Sequence, residues 1–196
     1  MYRSPTHRNQ ARTLRKALAP LVAIVAITAA LTAAVTSPAG AATCHTTWGS
    51  AAKTNSRMTQ APITGASAGQ HACYDRFVIN LRGAPAPGWN VRYVRRVVQD
   101  GSGFTVPLRG TAFIHVSVGA PAYDAGGNPT YDPARPSEAV SVAGFRTFRQ
   151  IAFAGSYEGV TTFGLGVRAR LPFRVFLLAG PGTSYRVVID VAHTWA

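Results

Sequence analysis

Apolar and polar residues alternate with a period of two over most of the chain beyond its first forty residues. Phe77, Ile79 and Leu81 alternate with Arg76, Val78, Asn80 and Arg82. Ile114, Val116 and Val118 alternate with Phe113, His115 and Ser117, and Ile151 and Phe153 continue the pattern. Phe163, Leu165, Val167, Ala169 and Leu171 alternate with Thr162, Gly164, Gly166, Arg168 and Arg170. Phe173, Val175 and Leu177 follow Pro172, and Val187, Ile189 and Val191 close the series. Strict alternation predicts half-buried strands, because successive side chains point to opposite faces of a sheet. A further strand near Val91–Val98 fits two registers. No sustained 3.6-residue period occurs in this part of the chain.

Gly- and Pro-rich turns separate the runs, as in Gly83–Gly88, Asp100–Gly103, Gly126–Pro129 and Ala179–Gly182. Seven or eight short strands punctuated in this way predict an all-β fold, an antiparallel β-sandwich or a partly closed barrel. Pro121–Pro136 carries no strand pattern and reads as a long surface loop. One internal echo links Arg76–Leu81 to Arg186–Val191: each is an Arg followed by an apolar strand with Asn80 or Asp190 at the same place. The two runs are expected to be equivalent or adjacent strands.

The first forty residues differ. Arg3, Arg8, Arg12, Arg15 and Lys16 precede an apolar run from Ala17 to Val35, and Ser37–Ala42 is built of small residues and Pro38. This is the basic, apolar and small-residue order of a secretory signal peptide. Ala39 and Ala41 fit the small positions before a cleavage site, so residues 1–41 are expected to be removed, with the cut after Ala41 or Ala42. No Arg-Arg pair precedes the apolar run, which points to Sec rather than twin-arginine export. An uncleaved run would instead anchor the chain, and in either case the body faces outward. The expected location is extracellular or cell-wall associated.

Export changes the reading of Cys44 and Cys73, which are the two cysteines of the chain. An oxidising compartment favours a disulfide between them. That bridge closes a Ser-, Thr- and Gly-rich loop of about 30 residues and contributes about 3–4 kcal/mol on the chain-entropy model. Residues 42–74 then form a stapled N-terminal segment ahead of a β domain over 75–196. Lipidation of Cys44 fits poorly, because Thr43 precedes it and Ala41 stands three positions before it.

Removal of the signal takes away five of the 20 basic residues and none of the seven acidic ones, leaving a net charge of +8. Nearly all the remaining cations are Arg. Such a surface attracts anions, and outside a membrane these are anionic wall polymers or lipids. Nucleic acid is not an expected partner, and no membrane span is expected after cleavage.

Catalytic signatures are absent from the sequence. It holds no G-x-S-x-G elbow, no H-E-x-x-H helix and no phosphate-binding loop. His45, His71, His115 and His193 are scattered, so no metal site and no cofactor are expected. A wall hydrolase would need two carboxylates, and Glu158, in a turn beside Tyr157, is the first candidate. Its alternative role is a turn carboxylate. A small-ligand carrier is a third possibility and requires a closed barrel with an apolar cavity.

Several stretches resemble a known family. They include Cys44–Ser50, Ala72–Ile79, Gly88–Val94, Gln99–Gly103, Val106–Gly110, Phe145–Gln150, Gly159–Val175 and Val188–Trp195. Together they are similar to actinobacterial AMIN-like domain (lipo)proteins. The resemblance implies a β-sandwich related to modules that direct cell-wall amidases and secretin subunits to the envelope, with peptidoglycan as ligand. It brings no catalytic residues with it. The combined expectation is a non-enzymatic envelope-binding module. Its contact patch is expected at Arg146, Arg149, Arg168 and Arg170, with Tyr157 and Glu158 nearby. Arg168 and Arg170 are expected to share a strand face with Gly164 and Gly166, which would leave a shallow groove.

Overall fold

The computed structural model describes residues 44–195; residues 1–43 and 196, and with them the expected signal segment, lie outside the described residues. Eleven strands follow in order among the described residues: β1 (Lys53–Asn55), β2 (Ile63–Gln70), β3 (Tyr74–Arg82), β4 (Trp89–Val94), β5 (Val97–Val98), β6 (Thr105–Val106), β7 (Ala112–Val118), β8 (Phe148–Tyr157), β9 (Val160–Val167), β10 (Phe173–Ala179) and β11 (Ser184–Ala192). A single 3-10 turn spans Pro136–Glu138.

Two antiparallel sheets pack face to face as a sandwich and do not close into a barrel. One has the order β1-β4-β7-β9-β8 and the other β10-β11-β3-β2. The alternation in the sequence decides which side of each strand faces the core. Phe77, Ile79 and Leu81 of β3 are buried, as are Ile114, Val116 and Val118 of β7 and Val187, Ile189 and Val191 of β11. Edge-on aromatic contacts fill the middle of the core, with ring centroids 5.3 Å apart for Phe77–Phe163 and 5.5 Å for Phe153–Phe163. Each fully buried side chain of this size contributes about 1.5–3 kcal/mol of transfer free energy. The space that a small-ligand carrier would leave open holds these rings.

The two echoing runs are neighbours. β3 and β11 pair antiparallel with Arg76 opposite Asp190, Val78 opposite Val188 and Asn80 opposite Arg186. Asp190 is fully buried and binds Arg76 through two contacts of 2.7 and 2.9 Å and Arg174 at 2.9 Å. The guanidinium of Arg174 lies 4.4 Å from the Trp48 ring and 5.0 Å from Phe176. The Cys44–Cys73 disulfide fixes the segment that carries Trp48.

Residues 53–70 supply two strands that the alternation did not reveal. β2 reads Ile-Thr-Gly-Ala-Ser-Ala-Gly-Gln, too poor in branched and aromatic residues to signal a strand, and it forms because β3 offers it a complete partner. β9 also departs from expectation: it ends at Val167, four residues before Leu171. Past that point the Arg168 amide donates to the Thr147 carbonyl, and the Tyr93 hydroxyl takes both backbone groups of Leu171.

The excursion from Arg95 to Gly110, which holds the small β5–β6 ribbon, folds back over the outer face of the five-stranded sheet. A methyl group added to Gly164 would meet Leu108 at 2.9 Å and Val97 at 3.2 Å. One added to Gly166 would lie 1.8 Å from the Arg109 carbonyl oxygen. These glycines therefore do not border an open groove. They are small because the excursion lies directly on them, which is why β9 is buried on both faces.

Candidate functional site

Four of the expected arginines gather at one end of the five-stranded sheet. Phe148 at the start of β8 pairs with Val167 at the end of β9, and the Arg168 amide bonds Thr147. This places Arg146 and Arg149 beside Arg168 and the turn that leads to Arg170. All four are exposed. Among the described residues none of them forms an ion pair with a carboxylate. The nearby Glu138 is already held by Arg109, which keeps its carboxyl below the usual range.

The four differ in how they are held. Arg149 turns back to donate to the carbonyls of Phe145, Arg146 and Phe148 at 3.0–3.3 Å. Arg168 donates to the His193 carbonyl. Arg170 bonds the Ser50 hydroxyl at 3.1 Å and lies 5.0 Å over the Tyr93 ring. Carbonyl and hydroxyl partners orient these guanidinium groups without neutralising them. The side chain of Arg146 makes no hydrogen bond or ion pair to another described residue.

Beside this cluster is a cleft of about 400 Å³ lined by Tyr93, Val94, Arg95, Thr111, Ala112, Phe113 and Arg170. Its floor is the Tyr93–Arg170 stack, and Arg95 supplies a second exposed cation. Burial pushes the Tyr93 phenol up, against the opposing pull of the Leu171 backbone and the Arg170 charge, so the ring stays a neutral platform. Trp195, 55% exposed, donates its indole N–H to the Arg170 carbonyl. Aromatic faces beside guanidinium groups suit a ligand that carries both apolar ring faces and negative charge. The expected contact patch did not include Arg95. The Arg95-Arg96 pair directly after a strand was the available signal.

Tyr157 and Glu158 lie elsewhere. They form the tip of the β8–β9 hairpin, at the other end of a ten-residue strand and so about 30 Å from its arginine end. Glu158 and Gly159 both have positive φ, 47° and 77°, as a two-residue hairpin turn requires. Glu158 is exposed, and its interaction is with Tyr157, whose phenol it pushes up by hydrogen bonding and charge. The adjacent cleft of about 370 Å³ is lined by Asp100 and Tyr157 but not by Glu158. Asp100 accepts a 2.6 Å hydrogen bond from Thr162. Glu158 thus occupies a turn position and does not line the cleft that holds Asp100.

Two buried polar groups sit near the arginine end without facing solvent. Asp75 is fully buried and accepts from the Thr147 amide at 2.6 Å and the Phe148 amide at 3.0 Å. Its other oxygen lies 3.0 Å from His193 Nε2, while His193 Nδ1 lies 3.2 Å from the Ala72 carbonyl. This knot joins the start of β8, the end of β11 and the disulfide-bonded Cys73, whose carbonyl accepts the His193 amide. His115, on the outer face of β7, is covered by the excursion. Burial and the Arg92 charge push its imidazole down, against the pull of Asp100. Among the described residues no group of three or more His, Cys, Asp or Glu could hold a metal ion. Among them, too, no helix is long and apolar enough to cross a membrane.

These features define an antiparallel β-sandwich with a cationic, aromatic-lined end. The AMIN-like domain family matches residues 61–193, from just before β2 to the end of β11. The chain belongs to that family, whose domains are in general binding modules of envelope and secreted proteins rather than catalytic ones. No curated protein matches the chain. No solved structure matches it.

Proposed function

We propose that this chain is an exported, non-enzymatic module that binds peptidoglycan or an anionic wall polymer through the arginine end of its five-stranded sheet. The observation that carries the reading is the gathering of Arg146, Arg149, Arg168 and Arg170, unpaired with any carboxylate among the described residues, beside the Tyr93–Arg95 cleft. Membership of the AMIN-like family supports a cell-wall role. In this reading Tyr93 packs against a sugar ring or similar flat face, and the arginines hold the polymer's negative groups. Tyr157 and Glu158 are not part of the contact. The chain reaches the wall by Sec export, with cleavage after Ala41 or Ala42.

The test is retention of the protein on purified cell walls, with and without prior removal of teichoic acid, across a salt series. Loss of binding after teichoic acid removal assigns the polymer, and unchanged binding assigns peptidoglycan. The combined Arg146→Gln, Arg168→Gln and Arg170→Gln substitutions are expected to weaken retention at least tenfold and to flatten its salt dependence. No retention on either wall preparation at moderate salt overturns the proposal.

A further inference from the structure

The antiparallel pairing of the two echoing strands gives the outer face of the four-stranded sheet an approximate twofold relation about Val78 and Val188. At one end of that relation Arg76 faces Asp190, and the carboxylate is shared with Arg174. At the other end Arg186 faces Asn80. The acid present at the first end is replaced by an amide at the second.

The second end also carries more positive charge than its own side chains balance. Arg82 stands two residues beyond Asn80 on the same face, a diagonal neighbour of Arg186, so the two side chains start about 7–8 Å apart. Both are exposed. Neither guanidinium makes a hydrogen bond or ion pair with another described residue. Two like charges so placed repel unless an anion lies between them. They border a cavity of about 330 Å³ that also includes Thr64, Asn80, Ser184 and Tyr185. Thr64 and Asn80 offer neutral donors beside the two cations.

We infer that this cavity binds a carboxylate of a small group, either the free end of a peptide or an acidic sugar. The ligand would stand where the Asp190 carboxylate stands at the opposite end. Two oxygens accept from Arg82 and Arg186, and the Asn80 amide donates a further hydrogen bond. The site lies on the sheet opposite the arginine end discussed above and does not depend on it.

The protein is titrated with N-acetylalanine, N-acetylalanine amide, glucuronate and inorganic phosphate, with binding read from the backbone amide shifts of Arg82, Ser184 and Arg186. Saturable binding of N-acetylalanine identifies a peptide end, and preference for glucuronate identifies a sugar acid. Arg82→Gln and Arg186→Gln are each expected to weaken binding at least tenfold, while Arg92→Gln, at an exposed arginine of the other sheet, leaves it unchanged. Asn80→Asp restores an internal acid and is expected to abolish binding. The inference is overturned if the amide binds as well as the free acid, if phosphate binds more tightly than both carboxylates, or if Asn80→Asp binds like the original protein.

Discussion

Removal of the Asp75 carboxylate tests whether a buried polar knot holds the arginine end together. Asp75→Ala takes away the acceptor of the Thr147 and Phe148 amides and the partner of His193 Nε2. Thr147, Phe148 and His193 are all buried, so water does not readily replace the lost acceptor. Each of the buried donors so orphaned costs about 1–3 kcal/mol. Because these losses overlap, the expected destabilisation is about 3–5 kcal/mol rather than their sum. Asp75→Asn keeps an oxygen for the two amides and directs an amide group at His193, so it is expected to cost less than the alanine. Guanidinium denaturation followed by tryptophan fluorescence measures both. With a slope of about 4 kcal/mol per molar, Asp75→Ala lowers the midpoint by about 1 M. A loss below 1 kcal/mol for the alanine, or equal losses for the two variants, would refute the reasoning.

Three more outcomes follow from the same geometry. Gly166→Ala drives a methyl group into the Arg109 carbonyl, and it is expected to cost about 1–3 kcal/mol and to raise amide exchange across residues 97–108, since the excursion must lift. His115 titrates lower in the folded state than in the unfolded chain, so the unfolded state binds the extra proton first as pH falls. The stability tied to this group is therefore complete above pH ~6.5 and lost below it, and His115→Gln is expected to flatten that decline in denaturation midpoints measured from pH 7.5 to 5. Glu158→Gly relieves a left-handed backbone position and is expected to raise stability by up to ~1 kcal/mol without changing wall retention; a fall in retention would return Glu158 to the binding surface.

The sheet faces were legible wherever branched or aromatic residues alternate with polar ones, as in β3, β7 and β11. Alternation failed where small residues stand in for packing. β2 is invisible because Gly65, Ser67 and Gly69 form its outer face, and its stability comes from pairing with β3. The arginine end was readable in part, since the spacing of Arg168 and Arg170 marks a cationic stretch and Phe148–Val167 pairing brings Arg146 and Arg149 beside it. The covering of Gly164 and Gly166 was not readable. It depends on an excursion returning to a face more than fifty residues away in sequence, and nothing local to the glycines distinguishes a groove from a contact. The echo carried more information than its length suggested, because in the antiparallel register adopted each Arg stands opposite the other strand's polar residue.

The short strap that follows the long loop has a consequence for how copies of this domain meet. β8 is the longest strand and forms a sheet margin, and the strap lies along its open side. Val140 bridges Ile151, the Ala139 amide bonds the Ile151 carbonyl, and Gln150 reaches the Ser137 carbonyl. At Ile151 the strap thereby occupies a backbone carbonyl that could otherwise template another molecule's strand, and it covers the margin around it. The opposite margin, β1, is only three residues long and offers little to pair with. Crowded molecules are thus denied their most direct route to strand-by-strand polymerisation along this sheet. A chain shortened through residues 136–140 is expected to expose that margin and, by light scattering, to associate at lower concentrations than the intact domain.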